Sequence, residues 1–497
     1  SFLYVGAKSE ASSKAYDLPW ITGRDYAVGE FARRQSADLP DRTVGAAKSW
    51  LAHSKVDRHQ AILPWGASDE VSKISPVTAA RRYLEHLISA WTQALPDAPI
   101  GEQHVVLTVP ASFDASAREL TREAALAAGL PDSLVLLEEP QAAVYAWLNA
   151  MGERWRKELK VGETLLVCDV GGGTTDLSLV GVAEEDGELV LRRIAVGAAD
   201  GPKKHPISVL GRGSKLIGGT VTVEVDRNQV AELLTNGFLP GCAIIDEPQR
   251  PRMSGFQELG LPYEADTAVT RHVAAFLRNH GSDAAPVRPT HVLFNGGVFK
   301  AETLKNQLMS VLQSWFPEGT PPEILAGDHD LDHAVARGAA YYGWAKVHRG
   351  VRIRGGTARS YYVGIETAGL AIPGAPRPLR ALCVVPFGME EGTEIDVPSD
   401  PIGLIVGQPA HFRFFSSSVR KDDQPGSRLT AWSPEDLSET DSLEATLPKD
   451  DTEEDHYVPV TFHTRITELG LLELWCVSTR GAGRWKLEFS VRDDAEK

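Results

Sequence analysis

The stretch Thr164–Val180, TLLVCDVGGGTTDLSLV, determines how the rest of the chain is interpreted. Its apolar start, Leu165–Cys168, predicts a buried strand, and the residues from Thr174 onward predict a returning strand. Between the two strands lie three glycines, Gly171, Gly172 and Gly173. Glycines can take positive φ, and successive backbone N–H groups in such a turn form a concave anion site. The pattern therefore predicts a strand–loop–strand element that binds phosphate, with an ordinary glycine-rich hairpin as the alternative.

Two carboxylates flank this loop. Asp169 ends the first strand, and Asp176 lies in the second. Mg²⁺ prefers oxygen ligands and commonly binds carboxylates together with substrate phosphates. No Gly-Lys-Ser/Thr follows the glycines, so the loop is not a Walker loop. We therefore expect phosphate and Mg²⁺ to bind at the same place.

The composition excludes several classes of protein. The 497 residues are 42% hydrophobic and 24% charged, as in an ordinary globular protein of several domains. The 51 Lys and Arg residues against 67 Asp and Glu residues give a net charge of −16, which disfavours nucleic acid or an anionic membrane as a partner. No apolar run approaches the roughly 20 residues of a membrane span.

The cysteines and the first residues indicate the compartment. Four cysteines lie far apart without CxxC spacing, which predicts free thiols and a reducing, cytoplasmic location. No signal peptide is recognisable, and the sequence starts at Ser1 inside an apparent strand, so we expect the native start to be missing.

Strands and helices alternate over the first two thirds of the chain. A helix begins at Ser75 as N-cap with Pro76 in its first turn, and Leu87 is predicted on its apolar face. Asp114 and Asp266 are predicted to cap two later helices. A second strand and glycine turn, Thr290–Lys300, leads into an amphipathic helix, where a helix N-terminus favours anions. This alternation predicts α/β layers.

The sequence pattern changes near residue 351, from alternating strands and helices to short strands. Short strands recur in the last third, and the acidic run Ser433–Asp455 is predicted to be a mobile loop. We therefore predict an α/β nucleotide-binding domain over 1–350, a linker over 351–360, and a β-sandwich without a helical lid over 361–497.

Several motifs resemble the seventy-kilodalton heat-shock protein family, in family order. They are LTVPASFDASARELTREAALAAGL (107–130), LLEEPQAAVYAWL (136–148), CDVGGGTTDLSL (168–179), VLFNGGVFKAETL (292–304) and LDHAVARGAAYYG (331–343). More loosely, VGIETAG (363–369), PFGMEEGT (386–393) and ITELGLLELWCVS (466–478) resemble the family's peptide-binding sandwich. The resemblance implies a bacterial-type, divergent member with an actin-like ATPase domain of ribonuclease-H-like lobes, followed by an all-β sandwich.

The resemblance also implies roles for individual residues. Lys48 would match the family's catalytic lysine, Glu139 the glutamate that places the attacking water, and Pro140 a proline of interdomain signalling. The remaining residues would bind ATP or ADP and Mg²⁺. Those facing phosphate are Gly171, Gly172, Gly173, Thr174 and Thr175. Asp169 and Asp176 would lie near Mg²⁺ and its waters, and Asp169 would also be catalytic. Those near adenosine are Gly296, Gly297, Lys300 and Asp332.

Three family features have no match in the sequence. The first phosphate hairpin, Asp-x-Gly-Thr-Thr/Ser, would precede Ser1, and the Gly-Gly-x-x-x-Asp segment with its adenine-facing helix is missing near Gly197–Ile207. The linker is rich in Arg and Gly instead of apolar. Either the segments are deleted or the sequence omits them. In this form the chain is expected to bind ATP weakly, with or without turnover.

Three functions compete on this basis. The leading one is a chaperone-like ATPase that couples ATP to binding of unfolded or extended polypeptide, with a J-domain co-chaperone and a nucleotide-exchange factor as possible partners. The alternatives are a non-hydrolysing interaction scaffold and, less favoured, a small-molecule kinase. The cluster His329–His333 also suggests a metal site, but it lacks the glutamate of a zinc protease.

Overall fold

The chain divides into two compact units in the computed structural model, Ser1–Ile353 and Arg354–Lys497. The structure describes residues 2–7, 10, 14–53, 55–68, 70–171, 174–185, 187–199, 209–210, 220–221, 227–249, 261, 266–281, 285–325, 330–348, 350–357, 359–366, 379–417, 420–433, 436–439, 443–448, 457–469 and 471–490. All structural statements below concern these residues.

The helices lie almost entirely in the first unit. They are α1 Glu30–Asp38, α2 Ala47–Leu51, α3 Pro76–Ala94, α4 Ala115–Ala127, α5 Glu139–Met151, α6 Trp155–Glu158, α7 Arg227–Phe238, α8 Val269–Asn279, α9 Glu302–Trp315 and α10 Ala334–His348. Short 3₁₀ helices occupy Pro40–Arg42, Ile100–Glu102, Gly152–Arg154 and Gly297–Lys300.

The strands run through both units. Those that precede residue 355 are β1 Phe2–Val5, β2 Tyr26–Val28, β3 Thr43–Gly45, β4 Val106–Val109, β5 Val135–Glu138, β6 Thr164–Val170, β7 Thr175–Glu185, β8 Glu188–Ala199, β9 Val209–Leu210, β10 Thr220–Val221, β11 His291–Asn295, β12 Glu323–Ile324 and β13 Ile353–Arg354. Those that follow are β14 Ser360–Glu366, β15 Leu379–Val385, β16 Thr393–Ile405, β17 Pro409–Phe412, β18 Phe414–Ser417, β19 Arg428–Leu429, β20 Ser438–Glu439, β21 Leu443–Thr446, β22 Tyr457–Ile466, β23 Leu471–Ser478 and β24 Arg484–Ser490.

A six-stranded sheet with the order β12-β11-β6-β7-β8-β13 is the centre of the first unit. Strand β6 pairs in parallel with β11 and antiparallel with β7. Successive residues of β6 face opposite sides, and both sides are buried because helices cover them. Leu166 and Cys168 pack with α8 and α9, whereas Leu165 and Val167 pack with α5 and α10.

Helices α5 and α10 approach each other closely on one face of this sheet. A Cβ atom added at Gly338 of α10 would lie 1.7 Å from the carbonyl oxygen of Ala142 in α5. Only glycine fits at this crossing, so the small residues of α10 allow it to lie directly against the helix that begins at Glu139.

Smaller sheets and capped helices complete the first unit. Strands β2-β1-β3 form an antiparallel sheet, and β4 pairs in parallel with β5. The predicted caps at Ser75 and Asp114 are confirmed, since their side chains accept hydrogen bonds from the backbone N–H groups of Thr78 at 3.0 Å and Ala117 at 2.7 Å.

The second unit is an antiparallel β-sandwich. A five-stranded sheet, β19-β15-β14-β18-β20, and a four-stranded sheet, β16-β22-β23-β24, contribute to one apolar core. Buried and partly exposed residues alternate strictly along β22, as expected for a strand with one side in the core. An α/β unit followed by an all-β sandwich is the fold class that the sequence predicts, and it is confirmed.

Three local predictions are wrong. Leu87 is 62% exposed, because it lies outside the buried stripe of α3. Helix α8 begins after Ala268, and Asp266 instead accepts hydrogen bonds from two loop N–H groups. The acidic run Ser433–Asp455 contains the short strands β20 and β21, because backbone pairing with β18 and β17 overrides its polar composition.

Candidate functional site

The glycine-loop hairpin joins β6 to β7. Asp169 and Asp176 are directly paired across the two strands, and the N–H of Gly171 donates to the carbonyl oxygen of Thr174 at 2.9 Å. Gly171 does not take a positive φ. Two further predicted phosphate-binding residues, Gly172 and Gly173, lie outside the described residues.

A row of three polar side chains crosses the sheet at this point. Asn295 of β11 pairs with Asp169 of β6, which pairs with Asp176 of β7. Directly paired residues point to the same face of a sheet, here the face that packs against α5. The side-chain N–H of Asn295 donates to Oδ2 of Asp169 at 2.8 Å. The structure thus adds Asn295, which sequence reasoning did not identify, to the two predicted carboxylates.

The two carboxylates of the row are almost completely buried. Burial, and then the negative charge of Glu139, raises the pKa of Asp169 to about 6. The same two causes, with a contribution from Asp169, raise the pKa of Asp176 to about 7. The backbone N–H of Ser112, which donates to Oδ1 of Asp176 at 3.1 Å, opposes this change. Two adjacent buried carboxylates are unfavourable without a cation.

Lys48 and Glu139 form an ion pair beside this row. Lys48 lies in the short helix α2, and Glu139 is the first residue of α5, with Pro140 next to it. The positive charge of Lys48 lowers the pKa of both Asp169 and Asp176, whereas Glu139 raises both. Four of the predicted residues, on four different elements, are therefore electrostatically coupled.

A buried carboxylate fixes the end of β5 just before Glu139. Glu138 has no exposed surface, and it forms ion pairs with Arg118 at 3.4 Å and Arg193 at 3.7 Å. These contacts connect β5 to α4 and to β8. These ion pairs are difficult to predict from the sequence, because residues 118 and 193 are distant from Glu138 in the chain.

The second glycine turn lies at the end of β11. Gly296 has a φ of +86°, and a Cβ atom there would lie 2.2 Å from the carbonyl oxygen of Val170 and 2.8 Å from Oδ1 of Asp169. Gly296 thus allows the backbone to pass next to the Asp169 carboxylate. Gly297, in contrast, has open space around it.

Lys300 and Asp332, predicted near adenosine, contact each other. The Nζ of Lys300 lies 2.5 Å from Oδ1 of Asp332, and both side chains are more than half exposed. Among the described residues, no hydrogen bond or ion pair joins either of them to the row of Asn295 and the two aspartates. They form a separate polar pair that follows the second glycine turn.

The residues of the row fit a cation that also binds phosphate. Oδ2 of Asp176, Oδ1 of Asn295 and the hydroxyl of Thr175 are buried and have no hydrogen-bond partner in the part of the chain that the structure describes. In that same part, no group of three or more His, Cys, Asp or Glu could hold a metal ion, so phosphate oxygens or water would have to complete the coordination. His333 instead contacts Asp330 at 2.7 Å, and His329 lies outside the described residues.

Comparisons with known proteins show similarity over the part of the chain that contains this site. The Hsp70 protein family model matches residues 20–199. The chain is 32% identical over 181 residues to a rice protein named heat shock 70 kDa protein BIP3. This alignment covers 33% of this chain and 26% of the relative. It is 31% identical over 178 residues to the chaperone protein DnaK of Stenotrophomonas maltophilia. This alignment covers 32% of this chain and 26% of the relative.

The match contains the Lys48–Glu139 pair and the β6–β7 hairpin, but it spans only about a quarter of the length of these relatives. Among the described residues, no helix is long and apolar enough to cross a membrane. The fold is an actin-like ATPase unit followed by a β-sandwich. The resemblance seen in the ordered motifs is confirmed over residues 20–199, which match the Hsp70 protein family model.

Proposed function

We propose that this protein is a molecular chaperone that couples ATP binding and hydrolysis to the binding of unfolded or extended polypeptide. The observation that carries the proposal is the convergence of the Lys48–Glu139 pair with the buried Asp169 and Asp176 beside a glycine loop. Two buried carboxylates, one lysine and a backbone turn together suit a nucleotide phosphate with its cation.

In this proposal, the β6–β7 turn binds the phosphates of ATP or ADP. The residues are Gly171, Gly172, Gly173, Thr174 and Thr175. Asp169 and Asp176 would hold Mg²⁺ directly or through its waters, and the buried unpartnered Oδ2 of Asp176 supports this role. When bound, Mg²⁺ neutralises charge on the phosphate oxygens.

Lys48 and Glu139 would act on the terminal phosphate. Lys48 supplies positive charge where negative charge develops, and Glu139 orients the lysine and accepts a hydrogen bond from the attacking water. Glu139 and Pro140 both lie in the first turn of α5. We also propose that Pro140, fixed in the same turn, transmits the state of the site to the second unit.

Adenosine would lie against the second glycine turn. The proposed residues are Gly296, Gly297, Lys300 and Asp332. The second glycine turn, whose backbone can lie against a flat ligand, and the polar Lys300–Asp332 pair support this assignment. The proposal keeps residues 1–350 as the nucleotide-binding domain, 351–360 as a linker and 361–497 as the client-binding sandwich.

Clients and partners follow from the same proposal. An extended peptide would bind to the sandwich through main-chain hydrogen bonds, with a J-domain co-chaperone and a nucleotide-exchange factor acting on the first unit. Cys168, Cys242, Cys383 and Cys476 are free thiols, which supports a cytoplasmic location.

The test measures ATP turnover and nucleotide affinity on the same protein. Lys48→Met should abolish phosphate release but leave ADP binding, measured by calorimetry, within a few-fold. Lys305→Met is the matched control, because Lys305 also pairs with a glutamate, Glu302, at 2.7 Å but lies on α9. ADP binding without turnover in the unchanged protein would favour the interaction scaffold, and no nucleotide binding would refute the proposal.

A further inference from the structure

The row of polar side chains contains one residue that the proposed function does not use. Asn295 is 2% exposed, and its side-chain N–H donates to Oδ2 of Asp169 at 2.8 Å. Its amide oxygen, Oδ1, is buried and has no hydrogen-bond partner among the described residues. A buried amide oxygen without a partner is unfavourable, so its presence in the row requires an explanation.

The neighbours of Asn295 indicate what that oxygen would bind. Asn295, Asp169 and Asp176 are consecutive partners across β11, β6 and β7, on one face of the sheet. Oδ2 of Asp176 is also buried and unpartnered in the described part of the chain. The row therefore presents oxygen atoms but few donors, which is the environment that a hard cation prefers.

We propose that Asn295 is a positioning residue for the divalent cation of the nucleotide site. Its N–H group fixes the orientation of the Asp169 carboxylate, and its amide oxygen adds a neutral oxygen toward the cation or one of its waters. A neutral third oxygen avoids the repulsion that a third carboxylate would add to two buried ones. This inference rests on the proposed function, because the cation would bind together with a nucleotide.

Gly296 supports this arrangement from the other side. A side chain at position 296 would collide with Oδ1 of Asp169, so glycine keeps that oxygen accessible while Asn295 fixes the other one. Residues that orient metal ligands by hydrogen bonds typically change metal affinity by about 10- to 100-fold when they are removed.

The test compares the unchanged full chain with Asn295→Leu, which keeps the branched shape of the side chain but removes both polar atoms. Mn²⁺ is titrated in saturating ADP and free Mn²⁺ is measured by electron paramagnetic resonance. The affinity for Mn²⁺ should fall about 10-fold or more. The melting temperature in EDTA is measured on both proteins to show that the variant folds. Ser178→Ala is the matched control. Ser178 is buried on the same sheet face as Asp176, but in the described part of the chain its hydroxyl bonds only to the carbonyl oxygen of Ala195.

The outcomes separate this inference from the proposed function. Equal Mn²⁺ affinity for Asn295→Leu and the unchanged chain, with ADP bound by both, overturns the role of Asn295 alone. An equal loss in Ser178→Ala also overturns it, because the effect would then be general to the sheet. No ADP binding by the unchanged chain, with or without Mn²⁺, overturns both the inference and the proposed function.

Discussion

Replacing Asp176 by Asn should stabilise the metal-free protein while it destroys the proposed cation site. Burial and the charges of Glu139 and Asp169 raise the pKa of Asp176 from its ordinary value of 3.8 to about 7. A carboxyl group whose pKa is raised on folding stabilises the fold most when protonated, and this advantage is lost as pH rises toward 7. At pH 8 the folded protein therefore carries the full cost of a buried charge.

The size of this cost follows from the change in pKa. Because one pKa unit corresponds to about 1.4 kcal/mol, the change from 3.8 to about 7 costs about 4 kcal/mol at pH 8. At pH 4.5 the cost of the Asp176 carboxyl group to the stability of the fold is only about 1 kcal/mol. Asparagine keeps the shape of the side chain, and its oxygen can still accept the hydrogen bond from the N–H of Ser112.

The assay is urea or thermal unfolding of both proteins in EDTA, at pH 8 and at pH 4.5. We expect Asp176→Asn to raise the free energy of unfolding of the first unit by about 2–4 kcal/mol at pH 8 and by about 1 kcal/mol or less at pH 4.5. Asp97→Asn, at an exposed loop position, is the control and should change neither value. A loss of stability at pH 8, or a gain independent of pH, would refute the reasoning.

Three further substitutions, the first with a paired control, test local contacts in the first unit. Gly296→Ala should destabilise the first unit by at least about 2 kcal/mol in urea unfolding, because of its positive φ and the contact with Val170, whereas Gly297→Ala should be nearly neutral. Gly338→Ala should lower the melting temperature by separating α10 from α5, at a cost of about 1–3 kcal/mol, and unchanged calorimetry would contradict the close crossing. Ser75→Ala should cost about 1 kcal/mol in the same unfolding assay, since it removes the cap of α3.

The sequence by itself determined the fold class and the position of the glycine hairpin. The apolar run of β6, the three glycines and the flanking aspartates are all local in the chain, so their meaning depends only on neighbouring residues. Capping at Ser75 and Asp114 was predictable for the same reason, because a cap is made within about one helical turn. The short strands that recur in the last third likewise indicated an all-β unit from their own residues.

Two of the three predictions that failed involve contacts distant in sequence. Asp266 resembles a cap locally, but its carboxylate instead binds the N–H of Gln249, and the acidic run pairs with strands that precede it. A local pattern does not specify which remote backbone group will be available.

The tertiary structure alone decided the composition of the site. Asn295 is 126 residues from Asp169 in the chain and contacts it only because β11 lies beside β6 in parallel register. Lys48 and Glu139, 91 residues apart, meet only when α2 and the start of α5 are brought together. The high pKa values of Asp169 and Asp176 have the same origin, because the desolvation that raises them is produced by the helices packed over the sheet and not by the sequence around each carboxylate.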